Sequence, residues 1–267
     1  MQLSLATYNI HRCVGQDGRY DPDRILHVLK ELKANVVALQ EVDSREHHGL
    51  ELLHCLANEL GYTPIAGPTL LRGDGHYGNG ILTNLPVLRV ARLDLSVPGK
   101  EPRGALDVDL DWHGVTLHVV GTHLGLWPAD RRTQVQRLLK GFHSEAWEPG
   151  ILMGDINEWL LWGRPIRKLH GLFGKTPALP TFPARLPVLP LDRIWVHPHR
   201  MLASLKVHKT RMARVASDHL PLKASIRLTK AQPIEERVEA IAITAMGTSC
   251  ARGAVSSPGA ARFLERG

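Results

Sequence analysis

Two short polar clusters in this sequence combine residue types that can hold a hard cation and move protons. The first is Gly154-Asp155-Ile156-Asn157 and the second is Ser217-Asp218-His219. Both stand beside apolar, strand-like runs, so a sheet would deliver their carboxylate, amide and imidazole groups to one rim. Groups of these kinds can bind a divalent cation and transfer protons at a phosphate ester.

Similar polar clusters cap other strand-like runs earlier in the chain. They are Thr7-Tyr8-Asn9-Ile10-His11, Gln40-Glu41 and Gly121-Thr122-His123-Leu124. Asp192 differs from these, because it stands inside the apolar run Leu191–Trp195. An unpaired charge there would be costly, so the sequence predicts a partner for Asp192.

The elements that must position these clusters alternate between helical and strand periods. Asp21-Pro22 is a helix start signal, followed by an apolar stripe, and Val36–Leu39 is typical of a short buried strand. A second helix carries Leu53, Leu56 and Leu60 and is expected to end at Gly61.

From Ala105 to Leu124 the sequence predicts a hairpin that turns at His113-Gly114. Its alternating acids, Asp107, Asp109 and Asp111, are expected on a solvated strand face rather than at a metal site. Further elements are then expected in this order: a helix after Pro128, strands at Gly150–Met153 and Leu191–Val196, and a last strand at Leu220–Leu228.

Two surface features are open to more than one interpretation. Trp159 and Trp162 stand near Arg164, Arg167 and Lys168, a combination that suits base stacking or a lipid interface. Inward packing of these tryptophans is the interpretation we favour. Three polar residues early in the helix after Pro128 are expected on its solvated face, namely Arg131, Arg132 and Gln134.

The amino-acid composition indicates that the ligand is negatively charged. The 267 residues carry 33 Lys and Arg against 26 Asp and Glu, a formal net charge of +7 that suits an anionic partner. Three cysteines at unrelated spacings predict neither a disulfide framework nor a zinc site, and fit a reducing, cytoplasmic compartment. No apolar run is long enough to span a bilayer, and we expect a monomer without a transmembrane segment.

Taken together and in this order, the polar clusters resemble the motif set of the endonuclease/exonuclease/phosphatase superfamily, which includes DNase I. The resemblance runs from about Leu3 to Leu228. It implies an α/β fold of the DNase I type, a four-layer αββα sandwich with two mixed sheets face to face. The family domain is then expected at residues 1–229, with a partly disordered appendage at 230–267.

The resemblance also implies an enzyme, a metal-dependent phosphoric ester hydrolase of the phosphodiesterase or endonuclease type. Magnesium is the expected cofactor, with manganese as the alternative. The expected metal residues are Glu41, Asn9 and Asp218. The expected catalytic residues are Asp155, His219, His123 and Asp192. The expected contacts to the substrate phosphate are Asn157, Asn79 and Arg103.

The substrate class stays open at the level of sequence. A nuclease-like phosphodiesterase comes first, because the net charge is positive. A hydrolase of a phospholipid or another small phosphodiester is the alternative. A catalytically silent phosphate-binding module is the third hypothesis, and the intact set of acids and bases argues against it.

Overall fold

The computed structural model describes residues 2–72, 75–142 and 149–227. The longer strands are β1 (Gln2–Asn9), β2 (Val36–Asp43), β5 (Thr63–Arg72), β6 (Gly75–Thr83), β7 (Val87–Asp94), β8 (Gly104–Trp112), β9 (Val115–His123), β10 (Gly150–Asp155), β11 (Asp192–His197), β12 (Leu202–Val207) and β13 (Leu222–Arg227). A small pair is formed by β3 (Glu46–His47) and β4 (Leu50–Glu51). The helices are α1 (Pro22–Leu32), α2 (Leu52–Leu60), α3 (Pro128–Gly141), α4 (Arg164–Phe173) and α5 (Ala213–Ala216), with 3-10 turns at His11–Cys13 and His199–Met201.

Two large mixed sheets form the framework. The first has six strands in the order β12-β13-β1-β2-β6-β5, and the second has five in the order β11-β10-β9-β8-β7. Within them β1 is parallel to β2 and β9 is parallel to β10, while the other pairs are antiparallel. The two sheets face each other closely, and a Cβ added at Gly121 of β9 would lie 3.2 Å from the Cβ of Ala38 on β2.

Helices cover the outer face of each sheet. One buried core joins α1 and α2 to the six-stranded sheet through residues such as Leu29, Leu56 and Leu39. A second core joins α3 and α4 to the five-stranded sheet through residues such as Leu138 and Leu169. The four-layer αββα sandwich predicted from the family resemblance is therefore confirmed.

Local sequence signals explain several of these elements. Asp21 accepts a hydrogen bond from the backbone nitrogen of Arg24 at the start of α1, and Gly61 ends α2 in a left-handed conformation. His113 and Gly114 both have positive φ values, which a two-residue hairpin turn of type I′ requires. These predictions are confirmed, although the last strand begins at Leu222 rather than Leu220.

The acids of the hairpin are not all solvated, which corrects one expectation. Asp107 is buried, and it accepts a hydrogen bond from Arg89 on the neighbouring strand β7. Asp109 accepts hydrogen bonds from Arg89 and lies 2.8 Å from Nδ1 of His118. Pairing with β7 supplies these partners, and the sequence pattern of one hairpin does not reveal them.

Within the ranges that the structure describes, no helix is long and apolar enough to cross a membrane. The predicted appendage at 230–267 lies outside the described residues.

Candidate active site

The polar clusters meet because of strand direction. Asn9 and Glu41 stand at or near the carboxyl ends of the parallel strands β1 and β2, and His123 and Asp155 end the parallel strands β9 and β10. Asp192 begins the antiparallel strand β11 directly opposite Asp155, so it stands at the same end. The sheets thus bring their functional side chains to one shared rim.

Asp155 is the centre of this group and is almost completely buried. Its Oδ2 atom lies 3.1 Å from Nδ2 of Asn9, 3.5 Å from Nε2 of His123 and 3.7 Å from Nε2 of His219. Its Oδ1 atom accepts a hydrogen bond from the backbone nitrogen of Asn157 at 2.9 Å. The carboxylate is therefore fixed by one oxygen and offers the other to the site.

The backbone before Asp155 has a conformation that only glycine adopts without strain. Gly154 has a φ of 155°, and a Cβ there would lie 1.9 Å from the carbonyl oxygen of Thr122 on β9. The close approach of β10 to β9 at this point sets the position of Asp155 beside His123.

His219 and Asp192 form a buried pair. Nδ1 of His219 lies 2.8 Å from Oδ2 of Asp192, and both residues are at most 5% exposed. Burial by itself lowers the pKa of His219, but the carboxylates of Asp192 and Asp155 outweigh it and raise the pKa to about 10. The ring is therefore an imidazolium at neutral pH, and it supplies the partner that Asp192 was predicted to need.

His123 has the opposite character. Burial lowers its pKa to about 3, because the nearby charge of Asp155 offsets only part of the desolvation. The side-chain nitrogen of Asn157 lies 3.0 Å from Nε2 of His123 and 2.9 Å from the carbonyl oxygen of Leu124. The ring is therefore neutral at neutral pH, and its Nε2 atom accepts the hydrogen bond from Asn157.

Glu41 reaches the site through a β-bulge. The register between β2 and β6 shifts between Leu39 and Val42, and Glu41 has a φ of 57° in the left-handed region. Oε1 of Glu41 accepts a hydrogen bond of 3.1 Å from Nδ2 of Asn9. The same Asn9 nitrogen also donates to Asp155, so one amide links the carboxylates of the two sheets.

The donor set on this side of the pocket fits a hard divalent cation. Glu41 and Asp218 are only partly buried and line a pocket of about 580 Å³, together with Asn9. The carboxylates of Glu41 and Asp218 offer hard oxygen ligands without sulfur, and the open pocket leaves room for water and substrate oxygens. The amide oxygen of Asn9 already accepts a hydrogen bond from the backbone nitrogen of His11, and its nitrogen faces the carboxylates.

Asp155, Asp192 and His219 also have ligand atoms within 4.8 Å of one another. Both ring nitrogens of His219 face carboxylates in this group, because Nδ1 lies 2.8 Å from Oδ2 of Asp192 and Nε2 lies 3.7 Å from Oδ2 of Asp155. We therefore interpret these three residues as a charged cluster in which His219 is hydrogen-bonded to Asp192 and paired electrostatically with Asp155.

The two remaining predicted phosphate contacts have different positions. Arg103 is buried, lines the pocket and forms an ion pair with Glu101 at 2.8 Å. Asn79 lies on β6 opposite the bulge, where its side-chain nitrogen donates to the carbonyl oxygen of Gly104. The structure thus brings Arg103 to the pocket, while Asn79 stands behind it.

Sequence reasoning missed some residues of the pocket. Tyr77 on β6 lines it, and burial followed by the charge of Glu41 raises the pKa of this phenol. The ring of Phe182 lies 4.9 Å from the ring of His219. Tyr77 stands two residues before Asn79, a signal that was available, whereas Phe182 lies in an irregular segment that carries no such signal.

The helix that follows β9 contradicts one expectation. Arg131 and Gln134 are each 1% exposed rather than solvated, while Arg132 is exposed as predicted. Arg131 forms a buried ion pair of 3.1 Å with Glu158, and Gln134 accepts a hydrogen bond from the backbone nitrogen of Gly125. These contacts fasten the loops after β9 and β10 beside the pocket.

A profile of the Endonuclease/Exonuclease/phosphatase family matches residues 6–219, a range that includes all of these rim residues. The chain belongs to this family. Protein YbhP of Escherichia coli K12, itself uncharacterized, is 31% identical over 245 residues, which covers 85% of this chain and 96% of that protein.

Solved structures of the family share the fold. An endonuclease/exonuclease/phosphatase from Beutenbergia cavernae is 23% identical with a TM-score of 0.69, and the match covers 86% of this chain and 72% of that one. TDP2 of D. rerio, in complex with a single-strand DNA product, is 17% identical with a TM-score of 0.64 over 85% of this chain and 99% of that one. Members of the family are generally phosphoesterase hydrolases that depend on a divalent metal.

Proposed function

We propose that this protein hydrolyses a phosphodiester by metal-assisted, in-line attack of water. The observation that carries the proposal is the position of buried Asp155 between His219 and Asn9. The side-chain amide of Asn9 donates hydrogen bonds to both Asp155 and Glu41. This geometry supports roles for Asp155 as a base, His219 as a buried imidazolium and Glu41 as a metal-binding carboxylate around one pocket. These are the groups that a phosphoryl transfer requires.

Asp155 is assigned as the base that takes the proton of the attacking water. Its Oδ2 atom faces the site, while its Oδ1 atom is held by the backbone of Asn157. His219 is assigned to the negative charge that develops on the phosphoryl oxygens, because it is an imidazolium in a buried position. Asp192 acts through His219, fixing its ring and its charge.

Glu41, with Asn9 and Asp218 beside it, is assigned to hold magnesium or manganese. When bound, the cation neutralises charge on the phosphate and makes water a better nucleophile. Asn9 keeps the carboxylates of Glu41 and Asp155 at a fixed separation through its single amide nitrogen.

His123 and Asn157 are assigned to the substrate phosphate and its leaving oxygen. A neutral His123 cannot give up a proton readily, so a role as general acid requires a higher pKa than it has in the free protein. The negative charge of a bound phosphate acts in that direction. Arg103 adds a cation at the same pocket.

The decisive test is hydrolysis of a soluble aryl phosphodiester with magnesium. Asp155→Asn removes the base at nearly constant volume, and His219→Ala removes the buried cation. We expect each change to lower kcat by about 10²-fold or more. Asp23→Asn, an exposed position on α1, is the matched control and should leave the rate unchanged.

Hydrolysis by Asp155→Asn at the wild-type rate would contradict the assignment of Asp155 as the base and with it the proposed mechanism. Binding of the diester without turnover by the wild-type protein would favour the silent phosphate-binding module instead. Activity that is lost with EDTA and restored by magnesium or manganese would support the cation assignment.

The substrate class has two candidates. A nuclease-like activity is supported by the net charge of +7 and by the single-strand DNA product held by D. rerio TDP2. A phospholipid is supported by the exposed apolar side chains around the pocket mouth. Hydrolysis of plasmid DNA, RNA and phospholipid vesicles, compared under one magnesium concentration, separates the two.

A further inference from the structure

Two loops at the mouth of the pocket expose large apolar side chains. One loop links β9 to α3 and holds Leu126 and Trp127, which are 63% and 60% exposed. The other links β10 to α4 and holds Trp159, Leu160, Leu161 and Trp162, with exposures of 47%, 40%, 49% and 70%. We call these six residues the apolar rim. The favoured prediction, that Trp159 and Trp162 pack inward, was therefore wrong.

Buried polar contacts hold the apolar rim in place. Arg131 donates to the carbonyl oxygen of Leu126 and pairs with Glu158, which in turn accepts a hydrogen bond of 3.1 Å from the backbone nitrogen of Leu160. The backbone nitrogen of Gly163 donates to the carbonyl oxygen of Leu160 and closes the second loop. These contacts order the loops and leave their apolar side chains exposed, an arrangement typical of a binding surface.

Basic side chains border the apolar rim. Arg132, Arg164 and Lys168 line a groove of about 410 Å³ between α3 and α4, directly behind the two loops. Arg167 is exposed one position before Lys168. Within the described ranges none of these four residues forms an ion pair. Lys100 lies 5.2 Å from the ring of Trp127 and adds another cation beside the first loop.

The apolar rim and the catalytic pocket open on the same face. Leu126 and Trp159 belong to the apolar rim and also line the pocket. On the other side of the mouth, Leu189 lines the pocket and its neighbour Val188 is 60% exposed. A surface in contact with the apolar rim would therefore face the pocket mouth.

We infer that the apolar rim and the basic groove dock this protein on an anionic phospholipid bilayer, so that the pocket faces phosphodiesters of the bilayer surface. Tryptophan rings suit the boundary between headgroups and acyl chains, and exposed leucines gain free energy by leaving water there. Arginine and lysine side chains that form no ion pair within the described ranges attract an anionic headgroup layer. The choice of substrate class rests on the proposed phosphodiesterase function, whereas the docking itself does not.

Single-stranded nucleic acid is the other macromolecule that tryptophans and basic residues can bind. Base stacking uses the flat faces of aromatic rings, so it has no use for Leu126, Leu160 and Leu161. Three exposed leucines beside three exposed tryptophans are explained by burial of aliphatic surface in a lipid layer. The observations therefore favour the bilayer.

The test is flotation of the full-length protein with vesicles. Vesicles of phosphatidylglycerol and phosphatidylethanolamine are compared with vesicles of phosphatidylcholine alone, without magnesium. We expect the protein to float with the anionic vesicles, and Leu161→Ser/Trp162→Ser to lower the partition constant by about tenfold or more. Leu88→Ser, which removes a leucine that is 57% exposed on β7, is the matched apolar control and should float normally.

A second pair of variants tests the charges. Arg164→Glu/Lys168→Glu should also lower binding to anionic vesicles by about tenfold or more. Lys206→Glu/Lys209→Glu changes the net charge equally at exposed positions on and after β12, and should have a smaller effect. Equal losses in the two double variants would show that only the total charge matters and would overturn the groove assignment.

Other results would overturn the docking proposal itself. These are failure of the wild-type protein to float, or flotation that Leu161→Ser/Trp162→Ser leaves unchanged. The protein could instead bind a single-stranded oligonucleotide and fail to bind vesicles. If Leu161→Ser then left oligonucleotide binding unchanged while Trp162→Ser weakened it, the apolar rim would be assigned to nucleic acid.

Failure of docking and failure of the proposed catalysis give different results. Leu161→Ser/Trp162→Ser lies outside the pocket and should hydrolyse a soluble aryl phosphodiester at the wild-type rate. Asp155→Asn should float like the wild-type protein although it cannot hydrolyse the diester. Vesicle binding without hydrolysis would contradict the proposed function alone, and hydrolysis without vesicle binding would contradict docking alone.

Discussion

His123 and His219 approach the same oxygen of Asp155, yet their surroundings leave His123 neutral and make His219 a cation. Both rings are buried, which by itself lowers both pKa values. Only His219 has a second carboxylate, from Asp192, in direct contact with its other nitrogen. Asp192 is the largest contribution that makes His219 a cation, while His123 stays a neutral base, a difference that suits two roles in one reaction.

This difference predicts the effect of Asp192→Asn. Loss of the carboxylate removes the main contribution that raises the pKa of His219, so that pKa should fall well below its value of about 10. Nitrogen-15 NMR of the metal-free protein, titrated from pH 6 upward, measures it directly. The kcat of diester hydrolysis should fall by about tenfold or more while the fold remains intact.

The matched control for Asp192→Asn is Asp111→Asn, a partly exposed position at the end of β8. This control should change neither the His219 signal nor kcat. A His219 pKa that stays near 10 in Asp192→Asn would contradict the assignment of Asp192 as the residue that sets the charge of the ring.

Some single residues were predictable and others were not. A carboxylate inside an apolar strand needs a partner, and the structure supplies His219 for Asp192. Arg131 gave no such signal, because on a helix its polar side chain also suits a solvated face. Its partner Glu158 stands in another loop, and the sequence alone does not bring these two segments together.

At the scale of elements, irregular backbone sets the position of the catalytic groups. Glu41 depends on a bulge in β2 and Asp155 depends on the unusual conformation of Gly154. Regular strands alone would send side chains alternately to the two faces of each sheet. These two departures lie on neighbouring layers of the sandwich and converge on Asn9.

Gly154→Ala should therefore damage both stability and activity. The added methyl group would collide with the backbone of Thr122, and alanine would be strained at the φ of this position. Together these effects should lower the free energy of unfolding by about 3 kcal/mol or more. Urea denaturation measures this loss. Gly171→Ala is the matched control, because Gly171 lies within α4 with open space around it and should gain up to about 1 kcal/mol.

Equal stability of Gly154→Ala and the wild-type protein would contradict the claim that glycine is required there. If the variant folds, the mechanism expects a lower kcat for the soluble diester, because Asp155 must move with the displaced strand. Normal activity in a destabilised Gly154→Ala protein would show that the position of Asp155 does not depend on the packing of β10 against β9.

Elements with local signals were predicted best. The turn residues and the alternation of apolar and polar residues predict the hairpin of β8 and β9. The N-cap residue and the following proline predict α1. The strand β7 was missed, since its residues are largely exposed on the edge of the five-stranded sheet. Edge strands depend on pairing with a distant partner, and no local pattern of burial marks them.

At the scale of the whole molecule, the layered architecture depends on pairings that are remote in sequence. The strand β13 lies between β1 and β12, so the last described strand pairs with the first. Periodicity predicts the alternation of helices and strands and does not reveal this order. The family resemblance provided the four-layer arrangement, because it encodes a topology that local residue patterns do not.

The position of β13 inside the six-stranded sheet allows a test of the predicted domain boundary at residue 229. A chain that ends at residue 229 retains all thirteen strands of the described part, and it should keep the melting temperature and the diester activity of the full chain. A chain that ends at residue 219 loses β13, which exposes the hydrogen-bonding edges of β1 and β12 and removes the buried side chains of Leu222 and Ile226. That shorter chain should fail to fold, since an interior strand cannot be removed without breaking the sheet. Equal behaviour of the two truncations, whether both fold or both fail, would contradict a boundary at residue 229.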